Sequence, residues 1–275
     1  MSGLSFNVVV IGGGSAGISA AARLKNSGVK HVAIIEPSEK HYYQPLWTLV
    51  GGGQSKAESS VRPQSSVIPK GQTWIKDYVV SVDPENNIVK TATGKNISYN
   101  WLIVASGIKL DWDKVPGLRD SLGKNNISTN YEYELTTYTW EAIQRTKNGV
   151  AVFSMPAGPI KCAGAPQKIC YLAADFWRKS GVLKDIDVHL VLPTPGMFGI
   201  PEFAATLEKV AKRYGIKVHF ESEVISIDPL SNEIVIRHNP SGDIQTLKAD
   251  MAHITPPQCA PDWIANGVLA DPKSP

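Results

Sequence analysis

The sequence has too few cysteines for a disulfide framework. Cys162, Cys170 and Cys259 are three in 275 residues, and their spacing lacks the paired C-x-x-C of a zinc site, so no metal is expected. No apolar run reaches the roughly 18 residues of a membrane-spanning helix. Charge of one sign is also scarce: 28 basic residues stand against 25 acidic ones, a net of +3. No basic run or basic helix face gathers them, so nucleic-acid binding has no electrostatic support. The N-terminus, MSGLSFNVVVIGGG, enters an apolar strand within seven residues. It has neither the basic n-region nor the long h-region of a secretory signal. These absences predict a soluble protein, or one attached to a membrane only at its surface.

What is present is a chain that is 43% hydrophobic, with 23 glycines and 19 prolines, long enough for one large α/β domain or two smaller ones. Asn7–Ile11 reads as a buried strand, followed by GGGSAG and a helical pattern through Ile18, Ala21, Ala22 and Leu24. Gly28 closes that helix, and HVAIIE (31–36) is a second buried strand, giving a β-turn-α-β unit. Val79–Val82, Ile88–Val89 and Trp101–Ala105 follow as short strands, with DPENN and TGKN turns that predict a β-meander.

The pattern then recurs. VVSVDPENNIV (79–89) and VISIDPLSNEIV (224–235) agree at most positions apart from one inserted residue. Upstream of the second copy lie a strand (150–155), a helix (166–179) and the strand VHLVLP (188–193), which matches VAIIEP (32–37) apolar for apolar. A further helix, 202–214, is stopped by Gly215 and has no close counterpart in the first half. The reading is α/β: two Rossmann-like three-layer domains of the FAD/NAD(P)-binding type, each with a β-meander. The first is expected over 1–110, a connecting segment over 111–148, the second domain over 149–255, and a truncated return to the first over 256–275.

Gly12, Gly14 and Gly17 form G-x-G-x-x-G between strand and helix. Gly12 permits the tight turn, Gly14 lets the backbone reach a pyrophosphate, and Gly17 lets helix and strand approach closely. Ser15 and Ala16 open the helix, whose free N–H groups attract phosphate. Glu36 ends the second strand, placed to accept from ribose hydroxyls, which favours FAD or NAD over NADP. LIVASG (102–107), a buried strand ending at Gly107, tips the choice toward FAD by bringing backbone against a cofactor.

The second copy lacks both elements. Its loop, PAGPIKCAGAPQK (156–168), holds Pro156, Pro159 and Pro166, with Cys162 near the place of the third glycine. Leu192 stands where Glu36 would be. Prolines remove N–H donors and stiffen the turn, so NAD(P) binding by this copy is not expected. Cys162, just before a helix start and beside Lys161 and Lys168, reads as a stabilised thiolate. The other reading is a small buried hydrophobe, the common fate of a free cysteine. Cys170, amid Ile169, Leu172 and Ala173, reads as core. Cys259, in the proline segment TPPQCAPD, is either reactive or incidental.

GGGSAG (12–17), EPSEKHYYQPLWTLVGGG (36–53), SVIPKGQTWI (66–75), KCAGAPQKI (161–169) and ITPPQCAPD (254–262) together resemble the sulfide:quinone oxidoreductases of mitochondria and bacteria. The resemblance implies FAD in the first domain, with Gly12, Ser15, Ala16 and Gly17 at the pyrophosphate and Glu36 at the ribose. It also implies Gln44 as a flavin-side contact, Val79 as the residue whose backbone meets adenine, and Cys162 as the redox thiol facing the flavin. Sulfide, a membrane quinone and a small-molecule sulfur acceptor are the implied partners. The implied place is peripheral to the bacterial inner membrane, the bacterial cytoplasm, or the mitochondrial inner membrane in a eukaryote. The family's C-terminal part, with a second FAD contact and the partner redox cysteine, is expected to be missing from this chain. Two other readings remain beside it: an NAD(P)H-dependent flavin reductase of the same architecture, and a non-catalytic or truncated FAD-fold remnant.

Overall fold

In the computed structural model, which describes residues 4–271, the chain divides into two compact units. Met1–Tyr43, Val61–Lys109 and Cys259–Pro275 form the first, and Gln44–Ser60 with Leu110–Gln258 form the second. Residues 44–60, expected in the first domain, therefore group with the second unit. The last residues of the expected return, 272–275, lie outside the described residues.

The first unit is built on a six-stranded sheet. Its order is Thr73–Ile75, Val32–Ile35, Leu4–Ile11, Asn96–Val104, Ile88–Thr91, Val79–Asp83. The first four strands are parallel and the last two return as an antiparallel meander. The packing of Leu4–Ile11 explains why its second half, Val8–Ile11, reads as uninterrupted hydrophobe. Val9 and Ile11 face a cluster with Val82, Val89, Ile97 and Tyr99. Val8 and Val10 face the opposite cluster, with Ala21 of the helix Ser15–Asn26, Val32 and Ile34. A parallel strand covered on both faces has no solvent side, so its sequence does not alternate.

The second unit repeats the plan. A parallel sheet runs Ile127–Ser128, Met251–Ile254, Gly149–Ser154, Ile186–Val191, Lys217–His219. Ala151 and Phe153 pack on one face with Ile169, Ala173 and Trp177 of the helix Ala165–Lys179, and with Ala211 of the helix Pro201–Tyr214. Val152, Val191 and Ala252 pack on the other face, against Val224, Ile234 and Ile236. The last three belong to a separate antiparallel meander, Ser222–Ile227, Glu233–His238, Ile244–Lys248.

The two meanders share details that hydrophobicity alone does not require. Each first strand is bulged at the same V-x-S step, between Val79 and Ser81 and between Val224 and Ser226. Each DP turn ends on a left-handed asparagine, Asn87 at φ 54° and Asn232 at φ 57°, the non-glycine residue that tolerates this conformation best. Each aspartate caps its own turn: Asp83 accepts the Asn86 N–H at 3.2 Å, and Asp228 accepts the Leu230 N–H at 2.8 Å. One difference matters. The first unit carries a single strand, Asn96–Val104, from meander into parallel sheet, whereas the second breaks it at Ala249–Asp250. There the Asp250 N–H donates to the Val150 carbonyl, and the Asp250 carboxylate accepts the Val150 N–H at 2.8 Å.

The connecting segment 111–148 contains the helix Tyr133–Arg145, which sinks Ala142 and Ile143 into the core. Among the described residues no helix is long and apolar enough to cross a membrane. His253, on the central strand Met251–Ile254, is fully buried. Its Nε2 accepts the Asn130 N–H at 2.9 Å, and burial pushes its pKa down to about 3. The unfolded imidazole binds a proton near pH 6.5, and the folded one does so only near 3. This group's contribution is therefore complete above pH 6.5 and is lost as pH falls from there toward 3. Thermal denaturation followed across that range should show a falling midpoint, and His253→Asn should flatten the slope.

Candidate functional site

The first strand delivers the chain to the glycine loop at Ile11. The Gly12 N–H donates to the Ile35 carbonyl at 2.9 Å, and the Ala105 N–H donates to the Ile11 carbonyl at 2.8 Å. A Cβ at Gly12 would lie 2.3 Å from the Ala105 oxygen, so this glycine makes room for the end of LIVASG. A Cβ at Gly17 would lie 1.8 Å from the Gly12 oxygen, which is the close helix–strand approach the motif requires. Gly14 differs, because a Cβ there would meet nothing within 4 Å. The helix Ser15–Asn26 begins beside it with no side-chain cap and no acid in its first turn, and Gly14, Ser15 and Ala16 are exposed. Its first N–H groups thus point to solvent with positive dipole charge, a fitting cradle for the phosphates of a dinucleotide.

Glu36 does more than await a ribose. Its carboxylate accepts the Gly13 N–H at 2.7 Å and the Ser38 N–H at 2.8 Å, leaving lone pairs free on a half-buried side chain. The Gly13 carbonyl in turn accepts from Gln64 Nε2 at 2.9 Å and from His41 Nδ1 at 3.1 Å. Gln64 is buried, and a Cβ on Gly13 would lie 2.4 Å from its amide nitrogen. Gln64 and His41 were not singled out from the sequence. Gln64 lies 51 residues from the loop it holds, and no local pattern marks such a contact. Val79 is half-buried beside an open cavity of about 610 Å³, lined also by Val80, Asp262 and Trp263. Gly107 is exposed at φ 71°. Gln44 is exposed and belongs to the second unit.

In the second unit the corresponding loop joins Gly149–Ser154 to Ala165–Lys179. Cys162 is exposed there at φ 59°, a left-handed conformation that costs a residue with a side chain about 1–2 kcal/mol. Two hydrogen bonds fasten it. The Cys162 carbonyl accepts the Ala165 N–H at 2.9 Å, and the preceding Lys161 N–H donates to Gln258 Oε1 at 2.7 Å. The Lys161 ammonium lies 5.9 Å from the centre of the Tyr131 ring. Burial lowers its pKa, against the opposing pull of a negative charge on Cys162. Lys168, the other lysine expected to help, is exposed.

Cys170 is fully buried among Ile169, Ala173 and Trp177, and burial pushes its thiol far up. Cys259 is half-buried, its Sγ 3.9 Å from the Lys109 carbonyl oxygen. Leu192, in the place of the ribose acid, is fully buried in the core. Among the described residues no group of His, Cys, Asp or Glu side chains could hold a metal ion.

Two substitutions test the glycine loop. Gly17→Ala should lower the melting midpoint of the flavin-free protein, because the clash is with backbone. Gly14→Ala should change the unfolding free energy by no more than about 1 kcal/mol yet weaken flavin retention, read by flavin fluorescence in a binding titration. For the second loop, Cys162→Gly should be more stable than Cys162→Ala by about 1 kcal/mol in denaturant titrations, since glycine relieves the positive φ.

The family described as pyridine nucleotide-disulphide oxidoreductase matches residues 6–255. A mitochondrial sulfide:quinone oxidoreductase from Dictyostelium discoideum is 43% identical over 272 residues, covering 97% of this chain and 59% of its own. The Mus musculus protein of the same description is 39% identical over 268 residues, covering 97% and 60%. The sulfide:quinone oxidoreductase structure from Aquifex aeolicus superposes with a TM-score of 0.81 at 23% identity, over 97% of this chain and 61% of that one. The chain thus spans about 60% of the length of these curated relatives.

Proposed function

This chain belongs to the pyridine nucleotide-disulphide oxidoreductase family, in the branch of the sulfide:quinone oxidoreductases, and from that premise we propose that it oxidises sulfide at Cys162. FAD is the cofactor characteristic of the family; when bound, it supplies the acceptor for an electron pair. In this reading Gly12, Gly14, Ser15, Ala16 and Gly17 present the loop and helix amides to its pyrophosphate. The free lone pairs of Glu36 take the ribose hydroxyls, with Gln44, Val79 and Gly107 as further contacts. Glu36, Gln64 and His41 hold the Gly13 peptide so that the amides are already oriented when the cofactor arrives.

One observation carries the reading most directly. Where the first unit has an open glycine cradle, the second has an exposed thiol held in a left-handed conformation, and Leu192 fills the place of the ribose acid. That loop is suited to present sulfur rather than to receive a nucleotide. In the reaction proposed, Cys162 is joined in a disulfide to a second thiol. Hydrosulfide adds to one sulfur, the S–S bond breaks, and its electron pair leaves on the other sulfur as a thiolate. The outer sulfur of the persulfide passes to a small acceptor, which leaves two thiolates; these rejoin as the disulfide, and the electron pair released in forming that bond passes on to a membrane quinone. Cys170 is unsuited to be the second thiol because it is enclosed by the hydrophobic core.

Anaerobic titration with sulfide, monitored by flavin absorbance, tests this. The flavin band should bleach with added sulfide, and Cys162→Ser should retain flavin but lose the bleaching. Bleaching by NADH instead of sulfide would overturn the assignment.

A further inference from the structure

Two histidines of the second unit meet at the edge of its parallel sheet. His189 stands on Ile186–Val191 and is buried, and His219 ends the outermost strand, Lys217–His219. The register sets His189 opposite Lys217 and Val191 opposite His219, so the two imidazoles are diagonal neighbours on one face. Their rings lie nearly parallel, at 17°, and Nδ1 of His189 faces Nε2 of His219 at 2.8 Å. The strand they join is three residues long. The chain leaves it through a left-handed Glu221 at φ 48°.

Two ring nitrogens so close form a bond only when one carries a proton and the other a lone pair. A neutral pair meets that condition, and so does a pair with one extra proton. A pair of imidazolium rings does not, because both nitrogens are then donors and two like charges face each other. His189 Nε2 lies 3.2 Å from Asp187 Oδ2, which favours a proton on that far nitrogen. The same carboxylate oxygen accepts from Lys217 Nζ at 2.6 Å, so its charge is already shared. On the other side, His219 lines a cavity of about 280 Å³ with Ser222, His238 and Asp243. His238 and Asp243 are joined there through Ser241. Glu223 and Arg237 pair with each other on the opposite face of the meander. Burial, with the charges of His189 and Lys217, holds the His219 pKa below its ordinary 6.5.

We propose that His189 and His219 form a pH-sensitive latch, which holds the outermost strand to the sheet until a second extra proton enters the pair and releases it. In the opened strand both imidazoles are free to protonate, whereas the closed pair stops at one extra proton. Opening therefore takes up at least one proton. The latch's contribution is complete above 6.5, the ordinary imidazole value, and is lost as pH falls below it. It involves neither flavin nor sulfide and stands apart from the reaction assigned to Cys162.

Amide hydrogen exchange of the full chain, corrected for the intrinsic rate at each pH, tests the latch. The Leu192 N–H reports on it, since it donates to the His219 carbonyl at 2.9 Å. The Met155 N–H donates to the Val191 carbonyl at 2.9 Å and reports on the sheet without the outer strand. From about pH 6 to about pH 5, Leu192 protection should fall at least ten-fold, roughly the slope of one proton per opening. Met155 protection should fall less. His219→Gln, whose amide can bond His189 without titrating, should flatten the Leu192 slope, and His189→Gln should do the same. Leu192 protection that tracks Met155 at every pH in the parent would overturn the latch, whether or not either variant folds. A slope that persists in both variants would also overturn it and assign the pH dependence to other groups, such as His253.

Discussion

A strand buried on both faces must turn into its helix through a space that main chain already fills, and this steric constraint shapes both halves of the molecule. In the first unit the turn is solved with glycine. The Gly12 carbonyl and the backbone of residue 17 approach so closely that no Cβ fits between them. The helix amides stay uncovered because Gly14 stands at the N-cap and offers no side chain to them. In the second unit the turn is longer and carries prolines, and its one sharply left-handed residue with a side chain is Cys162. A nucleotide-binding loop and a thiol-presenting loop are thus two answers to one packing problem.

The supports of the two loops are alike in kind. Each is held by a buried glutamine that reaches a loop peptide from far along the sequence, Gln64 to the Gly13 carbonyl and Gln258 to the Lys161 N–H. One donates and the other accepts. A neutral amide can do either without adding charge to a buried site, where an unpaired ion would be far more unfavourable. The strain at Cys162 persists because hydrogen bonds on both sides of it leave the backbone no relaxed alternative.

Much of this was legible in the residues. The strand at Asn7–Ile11, the helix after GGGSAG and the DP turns announced themselves through local periodicity and turn chemistry, and the two bulged meanders bear out the internal repeat. The helix Tyr133–Arg145 was not foreseen. Its middle is Thr136, Thr137, Tyr138, Thr139 and Trp140, residues of modest helix propensity, and it is held by core contacts and by threonine hydroxyls bonding back to carbonyls. Residues 44–60 sit between segments of the first unit yet belong to the second, because long-range packing decides allegiance and leaves no trace in composition. Gln64, His41 and Gln258 escaped for the same reason. The lysine expected to assist from inside the helix, Lys168, faces solvent, since helix periodicity turns that position away from the core.

The broken strand at Ala249–Asp250 has its own consequence. In the first unit a single continuous strand is shared by meander and parallel sheet, so the two cannot separate without tearing a common hydrogen-bond ladder. In the second unit they are joined by two residues, and an aspartate side chain stands in for a main-chain carbonyl at the junction. The second meander is therefore tied to the parallel sheet by side chains more than by a shared ladder, through the core that Val224, Ile234 and Ile236 form with Val152, Val191 and Ala252.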